Sequence, residues 1–211
     1  MKKNMISTFL IFIILLILVG CIGQQHPPVT IDYYTLEYEL SPFADLTPLP
    51  LVLRTERFSV SPIYNSNNMI YETRPFKLNV YNYHKWRANP GDMVTFFLSR
   101  DLKRSALFKA IFEPGSRFSS SHMISGSVDE FFEKDEKYSW KAVLSVSITL
   151  IKENETDISK RIVFQKNYSA KEKCNRKNPR AIATAMSKAM AKISEMIITD
   201  VYQSLAKLNP N

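Results

Sequence analysis

The sequence has few of the residues from which common active sites are built. Among its 211 residues there are only five glycines, three histidines and two cysteines. No two glycines have the spacing of a phosphate-binding loop: Gly20, Gly23, Gly91, Gly115 and Gly126. The remaining candidates are too scattered for a zinc or metalloprotease pattern: His26, His84, His122, Cys21 and Cys174. We therefore expect no catalytic residue, no cofactor and no metal, and a protein that is not an enzyme.

The overall composition is that of one ordinary globular domain. Hydrophobic residues make up 45% of the chain and aromatic residues 12%, which suffices for a core and excludes disorder of the whole chain. The formal net charge is +8.

The N-terminal segment carries the most specific signal. Lys2 and Lys3 precede an unbroken apolar run at 9–19, which is shorter than the roughly 18 to 20 residues that a membrane-spanning helix needs. The sequence Leu-Val-Gly-Cys follows at 18–21 and resembles a bacterial lipobox. An uncleaved N-terminal anchor helix with an incidental cysteine is the alternative interpretation.

The lipobox resemblance implies how the mature protein is attached. Residues 1–20 would be a signal peptide, cleaved before Cys21, whose sulfur would carry diacylglycerol and whose new amino terminus would be acylated, typically with palmitate. Several acyl chains anchor a protein stably where one does not. Residues 21–30 would form the lipidated terminus and a tether, and the lack of an aspartate after Cys21 favours the outer membrane, with the domain facing the periplasm. Nucleic acid is then excluded as a partner by location.

Cleavage would also change the charge and the thiol content. The loss of Lys2 and Lys3 lowers the net charge from +8 to +6. Cys174 would be the only other thiol, so no intramolecular disulfide could form. It could be buried, free, or paired across an oligomer interface.

Residues 31–206 are predicted to form an α/β domain, followed by a tail at 207–211. Strands are expected where aromatic and β-branched residues cluster or alternate with polar ones: 31–38, 51–60, 69–73, 76–83, 108–112, 123–132, 139–151 and 161–169. The segments at 69–73 and 76–83 predict a hairpin, and the last three strands predict an antiparallel meander, because their connections are short.

Two helices are predicted to pack on this sheet. The first follows Pro90 and Gly91, with Asp92 as N-cap and an apolar stripe that reaches Leu107. The second begins with Asn178 as N-cap and continues to about residue 206, with apolar residues at steps of three or four. The fold class is thus a single domain with a mixed, largely antiparallel sheet packed by two helices.

Several short motifs, in order, resemble the ABC-type transport auxiliary lipoproteins, the PqiC-like or YmbA-like family. They are the Tyr-Tyr-Thr-Leu segment at 33–36, the Tyr-x-Tyr-x-x-Trp-x-x-x-Pro segment at 81–90 that enters the first helix, the Gly-x-Val-x-x-Phe segment at 126–131 and the Ala-rich closing helix. The resemblance covers nearly all of 31–206, with the looser match at 41–71.

This resemblance implies a periplasmic domain similar to the N-terminal domain of TolB. It further implies a non-catalytic accessory role in an ABC transporter of the mammalian-cell-entry (MCE) type, which moves phospholipid or another apolar molecule. The partners would be the membrane, an MCE-domain protein and the ABC permease and ATPase, with a homo-oligomeric ring as one form of assembly. Only Cys21 carries over as a functional position. The alternative is a structural or regulatory outer-membrane lipoprotein of envelope assembly.

Other clusters have competing interpretations, and in each case we favour the structural one. Trp86, with Tyr81 and Tyr83, either docks a partner or anchors the corner between strand and helix. The basic stretch at 171–180 either meets anionic lipid or is a solvated loop, and the methionines of the last helix either contact cargo or fill the core.

Two further clusters could suggest chemistry. His122 follows three serines, but there is no nucleophile-elbow sequence, and we expect no hydrolase. The acidic residues at 129–136 lack the spacing and the glycine of a calcium loop, so we expect a solvated turn.

Overall fold

The computed structural model describes residues 29–43, 46–137 and 139–208. The compact unit discussed below begins at Ile31. Cys21, the predicted signal peptide and most of the predicted tether lie outside the described residues. The strands are β1 (Asp32–Tyr34), β2 (Leu49–Thr55), β3 (Ser59–Val60), β4 (Asn68–Arg74), β5 (Lys77–Trp86), β6 (Phe108–Phe112), β7 (His122–Glu136), β8 (Ser139–Lys152) and β9 (Ile162–Cys174). The helices are α1 (Pro90–Arg104), α2 (Ile158–Arg161) and α3 (Pro179–Leu208), and a 3-10 turn covers Pro62–Tyr64.

All nine strands belong to one mixed sheet built around β7. On one side β7, β8 and β9 form the predicted antiparallel meander. On its other side β7 pairs in succession with β2, β3 and β4, all parallel to it. The outer neighbours are β6 beside β2, and β5 followed by β1 beside β4. The sheet is therefore mixed, and its longest ladders are antiparallel.

Helices α1 and α3 cover one face of this sheet. The alternating apolar residues of β8, from Ala142 to Leu150, are almost fully buried against them, as the period of two in that strand predicts. Within the described residues, neither of these two helices covers the opposite face, which we call the open face. Part of the open face is a polar cluster. There the Asp129 carboxylate accepts hydrogen bonds from the side chains of Ser127, Ser147 and Asn167.

Two glycines allow β3, β7 and α1 to approach closely around Phe58. A Cβ added to Gly126 would lie 2.3 Å from the carbonyl oxygen of Ser147 and 2.8 Å from the Phe58 ring. A Cβ on Gly91 would lie 2.5 Å from the carbonyl oxygen of Phe58. Glycine is required at both positions because of space, not because of backbone dihedral angles.

Both long helices begin beside a proline, but only one predicted cap is correct. Asn178 caps α3, since its side chain accepts a hydrogen bond from the amide of Ala181 at 2.8 Å. The cap of α1 is Asn89 and not Asp92, because Pro90 takes the first helical position and the Asn89 side chain accepts from the amide of Gly91. Asp92 instead pairs with Arg57.

Several other boundaries differ from the prediction. The first strand is short, and the one expected at 51–60 is divided between β2 and β3. Helix α1 ends at Arg104, so Leu107 lies outside it, and α3 continues to Leu208. Strand β9 extends to Cys174 and the four-residue α2 precedes it, so three helices are present in the described chain where two were expected.

Candidate functional site

The corner between β5 and α1 is a packing feature. Trp86 is 2% exposed and its ring meets Phe131 edge to face, with centroids 5.1 Å apart. This confirms the structural interpretation of Trp86. Tyr83, in contrast, is 52% exposed, so the corner has one anchored and one accessible aromatic ring.

Tyr81 belongs to a buried polar pair. Its hydroxyl donates to Glu133 Oε2 at 2.7 Å, and its ring packs on Tyr71. Glu133 is 1% exposed, and its Oε1 atom has no hydrogen-bond partner within the described structure. Burial raises the pKa of Glu133, an effect that the hydrogen bond from Tyr81 opposes. The carboxyl group is thus sealed between the sheet and the start of α3 rather than offered to a ligand.

Cys174 lies at the end of β9, in register with Trp140 of β8. Its thiol is buried and free. Burial, with a smaller contribution from Glu133, raises the pKa of Cys174 to about 11. A thiol with such a pKa is largely protonated at neutral pH and is a poor nucleophile. The sequence allowed Cys174 to be buried, free or paired across an oligomer interface, and in the structure of the single chain it is buried.

Only part of the basic stretch is the loop expected from the sequence, namely the connection at 175–178, which carries Arg176 and Lys177. Lys171 and Lys173 lie in β9, where they point away from the helices, and Arg180 lies in the first turn of α3. The strand end and the helix start enclose a shallow pocket of about 240 Å³. Its charged lining side chains are Lys173, Arg176, Arg180 and Lys188. This end of the sheet therefore presents several cations close together.

The open face carries a hollow of about 490 Å³. Apolar and aromatic residues form its floor, and its lining also includes Glu72, Glu130, Lys134 and Lys171. The ring of Tyr64 stacks on Phe132, with centroids 5.8 Å apart. Ile63 and Phe76 are exposed at its border. Local sequence patterns could not predict this hollow, because its lining residues come from five separate segments of the chain.

The methionines of α3 divide between core and surface. Met186 and Met190 are fully buried, which confirms the core interpretation for both, but Met196 is 38% exposed. Ser187, a polar residue of the same helix, is buried and accepts a hydrogen bond from the amide of Glu37. The segment after β1 is thereby held against α3.

His122 does not form a nucleophile–base pair with its serine neighbours. The hydroxyl of Ser121 donates to the carbonyl of Val52 at 2.8 Å, so its proton is not available to His122 Nδ1, which lies 3.1 Å away. Burial, together with the charge of Lys152, lowers the pKa of His122. Ser120 donates to Glu153 instead. These polar groups join β7 and β8 to β2 and act structurally.

The acidic residues at 129–136 form part of β7 and not a solvated turn. A β-bulge between Val128 and Glu130 shifts the alternation, so that Asp129 and Glu133 lie on opposite faces of the sheet. Asp129 belongs to the open-face cluster, Glu133 is buried on the face that the helices cover, and Asp135 pairs with Lys177. Within the described ranges, no three His, Cys, Asp or Glu side chains are close enough to hold a metal ion.

The helices of the described residues bear on whether the domain itself crosses a membrane. None of the described helices combines the length and the apolarity needed to cross a membrane. The predicted lipidation site, Cys21, is outside the described part of the chain.

Comparison with known proteins identifies the fold and the family. The structure of a protein from Xanthomonas campestris superposes with a TM-score of 0.75 at 15% identity, over 83% of this chain and 97% of that one. A structure of an uncharacterized protein gives 0.64 at 14% identity, over 82% and 99%. One from Chlamydia trachomatis gives 0.51 at 11%, over 75% and 99%. At these identities the likeness shows a shared fold only.

The sequence comparison is more specific. No curated protein matches the chain significantly. Residues 34–198, however, match the model of the ABC-type transport auxiliary lipoprotein component. This range includes β5, α1, the meander and most of α3, which carry the motifs of the predicted resemblance. The chain belongs to the family of ABC-type transport auxiliary lipoprotein components.

Proposed function

We propose that this protein is a lipid-anchored, non-catalytic subunit of an MCE-type ABC transporter for phospholipids or other apolar molecules. The observation that carries the proposal is the family match over residues 34–198. The domain would hold a position at the membrane and bind an MCE-domain protein, while the permease and ATPase supply the energy.

The use of polar side chains within the domain supports a binding role. The groups that could suggest chemistry are engaged in structure: Ser121 bonds the β2 backbone, Glu133 bonds Tyr81, and the Asp129 cluster joins three strands. The accessible features are a hollow with an apolar floor on the open face and a cluster of cations at one end. Such surfaces recognise other molecules by shape and charge.

The anchor is proposed to be the acylated Cys21, with the domain on the periplasmic side of the outer membrane. Cys21 precedes the first strand residue, Asp32, by eleven positions in the sequence. A chain of this length spans at most about 40 Å when fully extended. The domain would therefore remain close to the membrane surface that holds the acyl chains.

Metabolic labelling tests the anchor. Cells that express the wild-type protein are grown with radiolabelled palmitate, and the protein should become labelled and remain in the membrane fraction. The Cys21→Ala variant should lose the label, whereas Cys174→Ala, which removes the buried thiol, should keep it. Label that persists in Cys21→Ala would contradict the proposed lipidation.

Capture from detergent extracts tests the transporter role. The tagged wild-type protein, after mild crosslinking in intact cells, should recover an MCE-domain subunit identified by mass spectrometry. Labelled, correctly localised protein that recovers no MCE subunit would refute the transport role but not the anchor. Recovery of envelope-assembly proteins in its place would favour the alternative that the sequence left open.

A further inference from the structure

The turn between β4 and β5 exposes an aromatic side chain that the fold does not use. Pro75 and Phe76 form the two-residue connection, and Phe76 is fully exposed, at 103% of its reference area. Its φ angle is +68°, in the region that favours glycine or asparagine. A bulky residue there strains the backbone, because its Cβ crowds the following carbonyl oxygen. Neither burial nor turn geometry accounts for a phenylalanine at this position.

The side chains beside this ring are cationic. Arg74 and Lys77 are a register pair at the ends of β4 and β5, and both are exposed. An aromatic ring between basic residues suits the interface of an anionic bilayer, where the ring enters the headgroup region and the cations remain among phosphates. A polar protein surface would offer the ring no comparable apolar layer.

The end of the sheet at which this turn lies carries a net positive charge. Register places the end of β4 beside the end of β7, which is followed by the start of β8 and the end of β9. The three segments concerned, 72–78, 133–141 and 171–180, contain ten basic and five acidic residues. We call this surface the basic end. It contains nearly all of the net charge of +6 expected for the chain after residue 20.

The direction of β1 relates the basic end to the anchor. Strand β1 is parallel to β5, with Asp32 beside His84 and Tyr34 beside Trp86. Since β5 begins at the turn, the chain enters β1 from the side on which that turn lies. Lys77 is seven residues from His84 along β5, about 23 Å. A tether of eleven residues is long enough to cover this distance.

We infer that the Phe76 turn and the surrounding basic end form a second membrane contact, which inserts into an anionic phospholipid surface. The inference rests on the lipid anchoring proposed above. Acyl chains on Cys21 would supply the affinity, and the turn would fix the orientation of the domain relative to the bilayer.

Fluorescence quenching tests this contact on the acylated protein. The protein is reconstituted on vesicles of phosphatidylcholine and phosphatidylglycerol in equal parts, with bromine on the acyl chains as the quencher. The tryptophan introduced by Phe76→Trp should lose more than half of its emission. Phe118→Trp is the matched control, because Phe118 is 73% exposed but precedes β7, at the opposite end of the sheet. It should be quenched no more than the wild-type background from Trp86 and Trp140.

The cations are tested in the same assay. Replacing Arg74 and Lys77 by glutamine in the Phe76→Trp protein should lower the insertion equilibrium by about 30-fold, given the usual contribution of a basic residue near an anionic surface. Vesicles of phosphatidylcholine alone should lower insertion of the protein that retains both cations by at least as much, because they remove the attraction of the whole basic end.

The outcomes separate this inference from the proposed function. If Phe76→Trp protein floats with the vesicles but is quenched no more than Phe118→Trp protein, the second contact is refuted and the anchor stands. The emission of the Phe76→Trp protein could instead vary with the amount of protein per vesicle and not with the bromine content. This result would refute the second membrane contact and would show that the turn contacts another copy of the protein. Acylated protein that fails to float would refute the anchor itself.

Discussion

Replacing Tyr38 by phenylalanine removes one hydroxyl group from a buried network that holds the segment between β1 and β2 against the helices. The Tyr38 hydroxyl donates to Asp101 Oδ2 at 2.5 Å. Asp101 has no exposed surface, and its other oxygen accepts two hydrogen bonds from Arg100. The Arg100 guanidinium also lies over the Tyr38 ring, 4.5 Å from its centroid. Phenylalanine keeps the ring contact and leaves Oδ2 without its donor.

The expected cost follows from the kind of hydrogen bond that is lost. A hydrogen bond to a charged group contributes about 1.5 to 3 kcal/mol, and a buried acceptor left without a partner is not rehydrated. We expect the free energy of unfolding to fall by about 2 kcal/mol. With a urea dependence of about 2 kcal/mol per M, the midpoint would fall by about 1 M.

Urea unfolding followed by tryptophan fluorescence measures this change, because the buried Trp86 reports on the core. Tyr83→Phe is the matched control: Tyr83 is half exposed, and its loss of a hydroxyl should change stability by less than about 0.5 kcal/mol. If Tyr38→Phe is as stable as Tyr83→Phe, with the same urea dependence, the reasoning about Asp101 is refuted. In an Asp101→Asn background Tyr38→Phe should cost less, since the acceptor is neutral.

Three further predictions concern the core. Burial raises the pKa of Glu133 above its ordinary value of 4.5. The stabilisation by the protonated Glu133 side chain is therefore fully present below pH 4.5 and is lost as the pH rises through the raised pKa. Glu133→Gln should flatten this decline when urea unfolding is measured at several pH values, and an unchanged pH profile would contradict the assignment. Gly126→Ala should destabilise the fold by about 1 to 3 kcal/mol, because the new Cβ meets the Ser147 carbonyl and the Phe58 ring, and a loss below about 0.5 kcal/mol in the same assay would be inconsistent with that clash. With a pKa of about 11, Cys174 should react with iodoacetamide much more slowly in native buffer than in urea, as followed by mass spectrometry; equal rates would show that it is not buried.

The sequence predicted elements whose pattern is local. Strand β8 alternates between apolar and polar residues from Leu144 to Leu150, and α3 repeats apolar residues at steps of three and four. The loop prediction at the basic stretch holds for the connection at 175–178, but it failed for Lys171 and Lys173 for a physical reason. In β9 the lysines at 171 and 173 alternate with Glu172 and Cys174, which face the helices, so a strand with charged residues on both faces resembles a loop in composition.

The parallel pairing of β2, β3 and β4 with β7 was beyond the reach of local patterns. These pairs join residues that are far apart in the chain, and the ladders involve only two or three residues each. Sequence patterns missed the Tyr38–Asp101 hydrogen bond and the burial of Ser187 for the same reason. In each case a polar residue of a helix has a partner in the distant segment after β1, and no local pattern indicates that partner. The lipobox, in contrast, is a contiguous motif that the sequence shows directly. Whether Cys21 is acylated is tested by metabolic labelling and not by the structure of the domain.

The architecture allows a membrane contact and a protein contact at the same time. One face of the sheet is sealed by α1 and α3, so a partner can reach the domain through the open face, the edges or the ends. If the basic end lies on the bilayer, the strands of the sheet point away from the membrane. The hollow around Phe132 then borders the bilayer, while the end at His122 is the most distant part. A partner protein that binds the open face or that far end would not compete with the lipid contact.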